Sequence, residues 1–203
     1  MTDDLHDIDS QVRALARSLG EVLPRGQAAI FGACARALAP LVGLVEQRSK
    51  GAWSFPDLEP AMTAVEQFAL GSAEAANHVE LRSRLAATAP HGDDLDSPWS
   101  TYVQDVIICT DAGLAAASVD LRPDPIWIQF ALEPLMSSLQ NRDVEVLRAR
   151  GEDHWAASVL GDPAMASALA FLQRSITRLL RDPNVDQPGF LSLVEEARVL
   201  CPP

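Results

Sequence analysis

The residues with most chemical potential lie between Pro90 and Trp99, where "PHGDDLDSPW" gathers Asp93, Asp94 and Asp96 with His91. Asp105 and Asp111 follow. Closely spaced carboxylates could hold a divalent cation or divide general-acid and general-base work. The spacing does not match a calcium loop: counted from Asp94, Pro98 and Trp99 fall where a ligand and a glycine are needed. Counted from Asp93, the closing position is Gln104 rather than an acid. Zinc finds one nitrogen ligand, His91, and no second His or Cys at ligand spacing.

The acids fit a helix entrance better. Ser97 can cap, Pro98 suits the first helical turn, and carboxylates ahead of a helix N-terminus are favoured by its dipole. Asp105 and Asp111 project about 120° apart at the helical 100° per residue, so they do not share one site easily. Asp105 falls beside an apolar face and is expected to be partly buried.

No nucleophile elbow, glycine-rich phosphate loop or His-Glu-x-x-His helix occurs in the sequence. No catalytic residue and no cofactor are assigned. His78 reads as a structural histidine on an apolar face, with Glu74 one turn earlier, and His154 as part of a helix start or connection. Arg174, Arg178 and Arg181 could grip an anion but read as a solvated helix face. The tryptophans Trp53, Trp99, Trp127 and Trp155 all stand near helix starts or loops, where they can close the core or anchor a partner.

The elements that position these residues are helical throughout. Apolar residues recur at three and four positions in Val12-Leu15-Leu19-Val22, Ile30-Cys34-Leu38-Leu41-Val45, Leu58-Met62-Val65-Ala69, Ile128-Ala131-Leu132-Leu135-Leu139 and Met165-Leu169-Leu172-Ile176-Leu179. A closing helix is predicted over about 190–200. Pro40 is predicted to kink or split the second of these, because it lacks an amide and crowds the preceding turn. Asp124-Pro125 and Asp162-Pro163 each place a capping acceptor before a proline suited to the first turn. The reading is therefore all-α, with about seven to nine helices in a single compact multi-helix bundle. Residues 1–9 form an acidic, flexible lead-in and 10–203 one domain. The segment from Trp99 to Ser118 is apolar on nearly all sides, with only Gln104, Asp111 and Ser118 as a polar stripe, and is predicted to be the largely buried central helix.

Two stretches resemble the YjaG-like family, bacterial all-helical proteins of similar length without an assigned chemistry. They are "DDLDSPWSTYVQD", Asp93 to Asp105, and "IFGACARALAP", Ile30 to Pro40. The resemblance implies an architecture and no mechanism. Arg36 and Ala37 within the second stretch, Val42 just after it, and the ending "EEARVLCPP" depart from the family's pattern.

Charge and cysteine usage bound the function classes. With 28 acids against 16 bases, the net charge of −12 repels phosphate backbones and anionic bilayers, so neither nucleic acid nor membrane is an expected partner. Cys34, Cys109 and Cys201 form no Cys-x-x-Cys pair and read as reduced, buried thiols. The opening "MTDDLHDIDS" has no basic or apolar leader segment, and the run "VIICTDAGLAAASV" is too short to span a bilayer. A cytoplasmic protein is expected. Its function is read as a non-catalytic protein-binding module, in concrete form an immunity-like protein occluding a basic toxin or enzyme, contacted through Asp93, Asp94, Asp96 and Trp99. The alternative is a divalent-metal or small-ligand protein using the acids from Asp93 to Asp105. A homo-oligomer joined through the tryptophans and late helices is a third.

Overall fold

A computed structural model describes residues 3–50, 53–90, 99–150, 159 and 161–202. Among them the chain forms eight α-helices and no strand, as the apolar periodicity predicts. The first, α1 (Asp3–Gly20), buries Val12, Leu15 and Leu19 and takes in residues 3–9, which the composition reads as a flexible lead-in.

Helix α2 (Pro24–Arg48) starts with a proline in its first turn and is buried over most of its length. It runs through Pro40 without ending, so of the kink or split expected from the sequence the split does not occur. The cost of one lost backbone hydrogen bond is local, whereas α2 is packed by several other helices along its length, and tertiary burial outweighs it. This helix is also long and apolar enough to cross a membrane by length and composition. Two-thirds of that apolar window, 67%, is buried inside the fold, which makes it a core helix here.

Helix α3 (Leu58–Ala69) lays Leu58, Met62, Val65 and Ala69 into the core. Val65 presses between α2 and α5 (Trp99–Ala116), and it can do so because Gly32 and Gly113 have no Cβ there. A Cβ on Gly32 would stand 3.0 Å from Val65 Cγ1, and one on Gly113 only 2.7 Å. Helix α4 (Val79–Ala87) is short and buries only Leu85.

Helix α5 is the predicted central rod. Val103, Val106, Ile107, Cys109, Ala112, Leu114 and Ala116 are all buried, and α2 makes the broadest contact with it. Its polar stripe is satisfied within the molecule: Gln104 donates to the Pro90 carbonyl, Asp111 accepts from Arg82, and Ser118 donates to the Leu114 carbonyl. An isolated bridge pairs Ala76 with Ser118 just past its end.

A 3-10 turn, Pro125–Ile128, leads into α6 (Gln129–Arg150), whose Ala131, Leu132, Leu135 and Leu139 are fully buried. Helix α7 (Pro163–Arg181) buries Met165, Leu172, Ile176 and Leu179, and α8 (Gln187–Ala197) closes the fold with a final 3-10 turn, Arg198–Leu200. Asp124 and Asp162 cap as predicted, accepting from the amides of Ile126 at 3.1 Å and Ala164 at 2.8 Å. The three cysteines are free thiols; Cys34 and Cys109 are buried as expected, whereas Cys201, near the chain's end, is only partly buried and donates to the Ala37 carbonyl.

Candidate functional site

Asp105 is 2% exposed, in the middle of the molecule, because its position on α5 carries it off the polar stripe and into the packing with α6. Its Oδ2 has no hydrogen-bond partner among the described residues. Burial, and then the charge of Glu133 on α6, push its carboxyl up to about 8. Burial also raises Glu133. Asp105 on α5 thus feels the charge of Glu133 on α6, and a carboxyl raised to about 8 favours the protonated form at neutral pH, which can donate a hydrogen bond.

The neighbours on α5 share this dry setting. Burial and the Asp105 charge both raise the Tyr102 phenol. Burial drives the Cys34 thiol up to about 12 and Cys109 well above its ordinary value, the latter with added contributions from Cys34 and Asp105. Neither core thiol is therefore an activated nucleophile.

Asp111, the other acid of α5, belongs to a different environment. Arg82 of α4 forks it, Nε to Oδ1 at 2.6 Å and Nη2 to Oδ2 at 2.7 Å. The angular separation expected between Asp105 and Asp111 is what the fold contains: one is buried against α6, the other is tied to α4. His78 stands just ahead of α4 rather than on an apolar stripe, half-buried, its imidazole lowered by burial and by the Arg82 charge. Glu74 lies 3.9 Å from Arg25 in an ion pair. Arg174, Arg178 and Arg181 are exposed on α7, as a solvated face requires.

Of the residues chosen from sequence for partner contact, Asp93, Asp94 and Asp96 lie outside the described residues, and Trp99 is the first residue of α5. Trp53 is half-buried and stacked on Phe55 at 6.4 Å, and Trp127 packs partly buried in the 3-10 turn, so both close the core. Trp155 is outside the described residues. Glu133 escaped the sequence reading. Its one signal is an acid beside the apolar Leu132 and Leu135, and nothing local to α6 reveals that its charge reaches Asp105. Among the described residues, no three His, Cys, Asp or Glu side chains are placed together to hold a metal ion.

The fold and the buried Asp105 define an all-α, multi-helix bundle with an ionisable group in its central helix. No family model matches the sequence, and no curated protein is similar to it. Among solved structures, the crystal structure of a DUF416 family protein from Shewanella baltica OS155 is similar, with a TM-score of 0.65 at 16% identity. The likeness covers 90% of this chain and 92% of that one. At this identity the similarity is one of fold.

Proposed function

We propose that this protein is a non-catalytic, cytoplasmic binding module for a basic protein, with occlusion of a basic toxin or enzyme in the manner of an immunity protein as its concrete form. The observation that carries this reading is the charge distribution. The net charge is −12, yet arginines that could soften it are engaged internally: Arg36 by Glu59 and Glu66, Arg82 by Asp111, Arg84 by Asp57 and Glu80. Glu21 and Asp120 are exposed and have no ion pair among the described residues. Such a surface steers basic partners and repels nucleic acid and anionic membranes.

The test is native purification at low salt, followed by reconstitution with the purified partner. Association should slow steeply as salt rises, and reversing Asp93, Asp94 and Asp96 to Lys should slow it by about tenfold or more. A salt-independent association rate, or no partner surviving reconstitution, overturns the reading.

A second reading, divalent-metal binding by the acids from Asp93 to Asp105, is favoured by one observation: the buried Asp105 Oδ2, without a partner among the described residues, feels the charge of Glu133. Calcium, magnesium, manganese and zinc should then raise the melting temperature, since a ligand that binds only the folded form stabilises it. Unchanged melting curves with all four discard it.

As to kinship, we place the chain with the YjaG-like family. The support is the two matching stretches, and the fold likeness to a protein of a family without assigned function is in keeping with it.

A further inference from the structure

We propose that the groove between α1 and the 3-10 turn Pro125–Ile128 binds a small monocarboxylate with an apolar body, its carboxylate gripped by Arg17. Four α1 residues, Arg13, Ala16, Arg17 and Gly20, recur at spacings of three and four, and so share the helix face turned to the groove. Ala16 leaves that face low between the two arginines, Gly20 lets the Pro125 ring pack close against α1, and Pro125 and Ile126 supply an apolar opposite wall. The groove holds about 420 Å³, within the range of small-ligand sites. The smaller groove between α1 and α7, about 290 Å³ beside Gln11, Leu15 and Leu169, has no charged lining.

Charge selects the ligand. Arg13 is already held by Asp9, Nε to Oδ2 at 2.8 Å, one turn back on the same helix. Arg17 is exposed and has no ion-pair partner among the described residues, in a chain with a large excess of acids. A guanidinium presents paired donors that match a carboxylate. On the far wall stands the carboxylate of Asp124, its Oδ1 occupied by the Ile126 amide. Among the described residues Arg17 is the lining cation left without an ion pair, and it attracts an anion, while the Asp124 carboxylate in the same lining repels a doubly charged phosphate more strongly than a monoanion. The apolar floor then asks for an aliphatic or aromatic body rather than a polar one.

The probe is octanoate, with 1-octanol as its neutral partner of equal length, titrated into the full chain by calorimetry and followed by amide NMR shifts. Octanoate should bind saturably, shift the amides of residues 13–20, Asp124, Ile126 and Trp127, and exceed 1-octanol in affinity by about tenfold, the contribution of a charge-assisted pair. Arg17→Gln, at an exposed position that leaves the core untouched, should remove that preference while the melting temperature stays at the wild-type value. Ala16→Leu should weaken both probes by filling the floor. Equal affinity for the two probes, wild-type octanoate binding by Arg17→Gln, shifts mapping elsewhere, or no saturable binding each overturns the assignment.

Discussion

Arg82 grips Asp111 through the Nε–Nη2 edge of its guanidinium, at 2.6 and 2.7 Å, an ionic tie between the short α4 and the central helix. Both side chains are about one-fifth exposed, 21% and 22%, so the pair is partly shielded from water. The fork itself raises the Arg82 guanidinium further, more than burial lowers it. Helix α4 otherwise buries only Leu85. Removing one partner strands a half-buried charge. Asp111→Ala or Arg82→Ala should each cost about 2 kcal/mol in urea denaturation, less than a fully buried pair because solvent screens this one. The double variant Arg82→Met/Asp111→Leu should be less destabilised than either. Single variants indistinguishable from wild type would show that α4 is held by packing alone.

Glycine substitutions should change sign with position. At Gly113 a Cβ would stand 2.7 Å from Val65 Cγ1, so Gly113→Ala should destabilise by about 1–3 kcal/mol, and adding Val65→Ala should give less than the sum of the two. At Gly43, also inside a helix, a Cβ meets nothing within 4 Å. Gly43→Ala should stabilise by about 0.5–1 kcal/mol through helix propensity. Melting curves of the three variants check both signs.

The pH profile follows from Asp105. Its carboxyl sits at about 8 when folded, against an ordinary value near 3.8, so between those limits the folded chain holds a proton that the unfolded chain releases. Stability from this group is fully present below the unfolded value and is lost as pH rises through the folded one, with a slope of up to about 1.4 kcal/mol per pH unit. Glu133, also raised, acts in the same direction. Asp105→Asn should flatten urea-denaturation stability between pH 5 and 9 and be the more stable form at pH 9. Glu133→Gln should end the decline at lower pH, because one cause of the Asp105 shift is removed. A wild-type profile rising with pH over this range would contradict the burial of Asp105 as an acid.

Helix α8 depends on its first turn. Asp186 Oδ1 accepts from the Gly189 amide at 2.8 Å, and Pro188 follows within that turn. Asp186→Ala should cost about 1 kcal/mol, with Asp186→Ser recovering most of it. Equal stability of the Ala and Ser variants would show the cap to be idle.

Much of the molecule was written in local spacing. Val12, Leu15 and Leu19, or Met165, Leu172 and Ile176, recur at helical intervals and are buried, because a helix brings residues three and four apart onto one face whatever lies beyond it. Asp124 and Asp162 ahead of prolines start a 3-10 turn and a helix for the same reason: a cap needs only a side-chain oxygen two residues from the amide it accepts. The near-complete apolar circumference after Trp99 likewise forces a helix surrounded by others.

The tertiary structure decided what neighbours in sequence cannot. Asp182-Pro183 looks like the two helix starts but ends α7, with the Asp182 side chain accepting from the Asn184 amide. Pro40 is carried through α2 because burial by other helices outweighs one missing hydrogen bond. That Asp105 feels the charge of Glu133 while Asp111 pairs with Arg82 depends on which helix packs against each side of α5, and partners 28 or 29 residues away leave no periodic trace. Helical faces are fixed by contacts within one turn, whereas ion pairs and buried charges are set by the angle and order in which those faces dock.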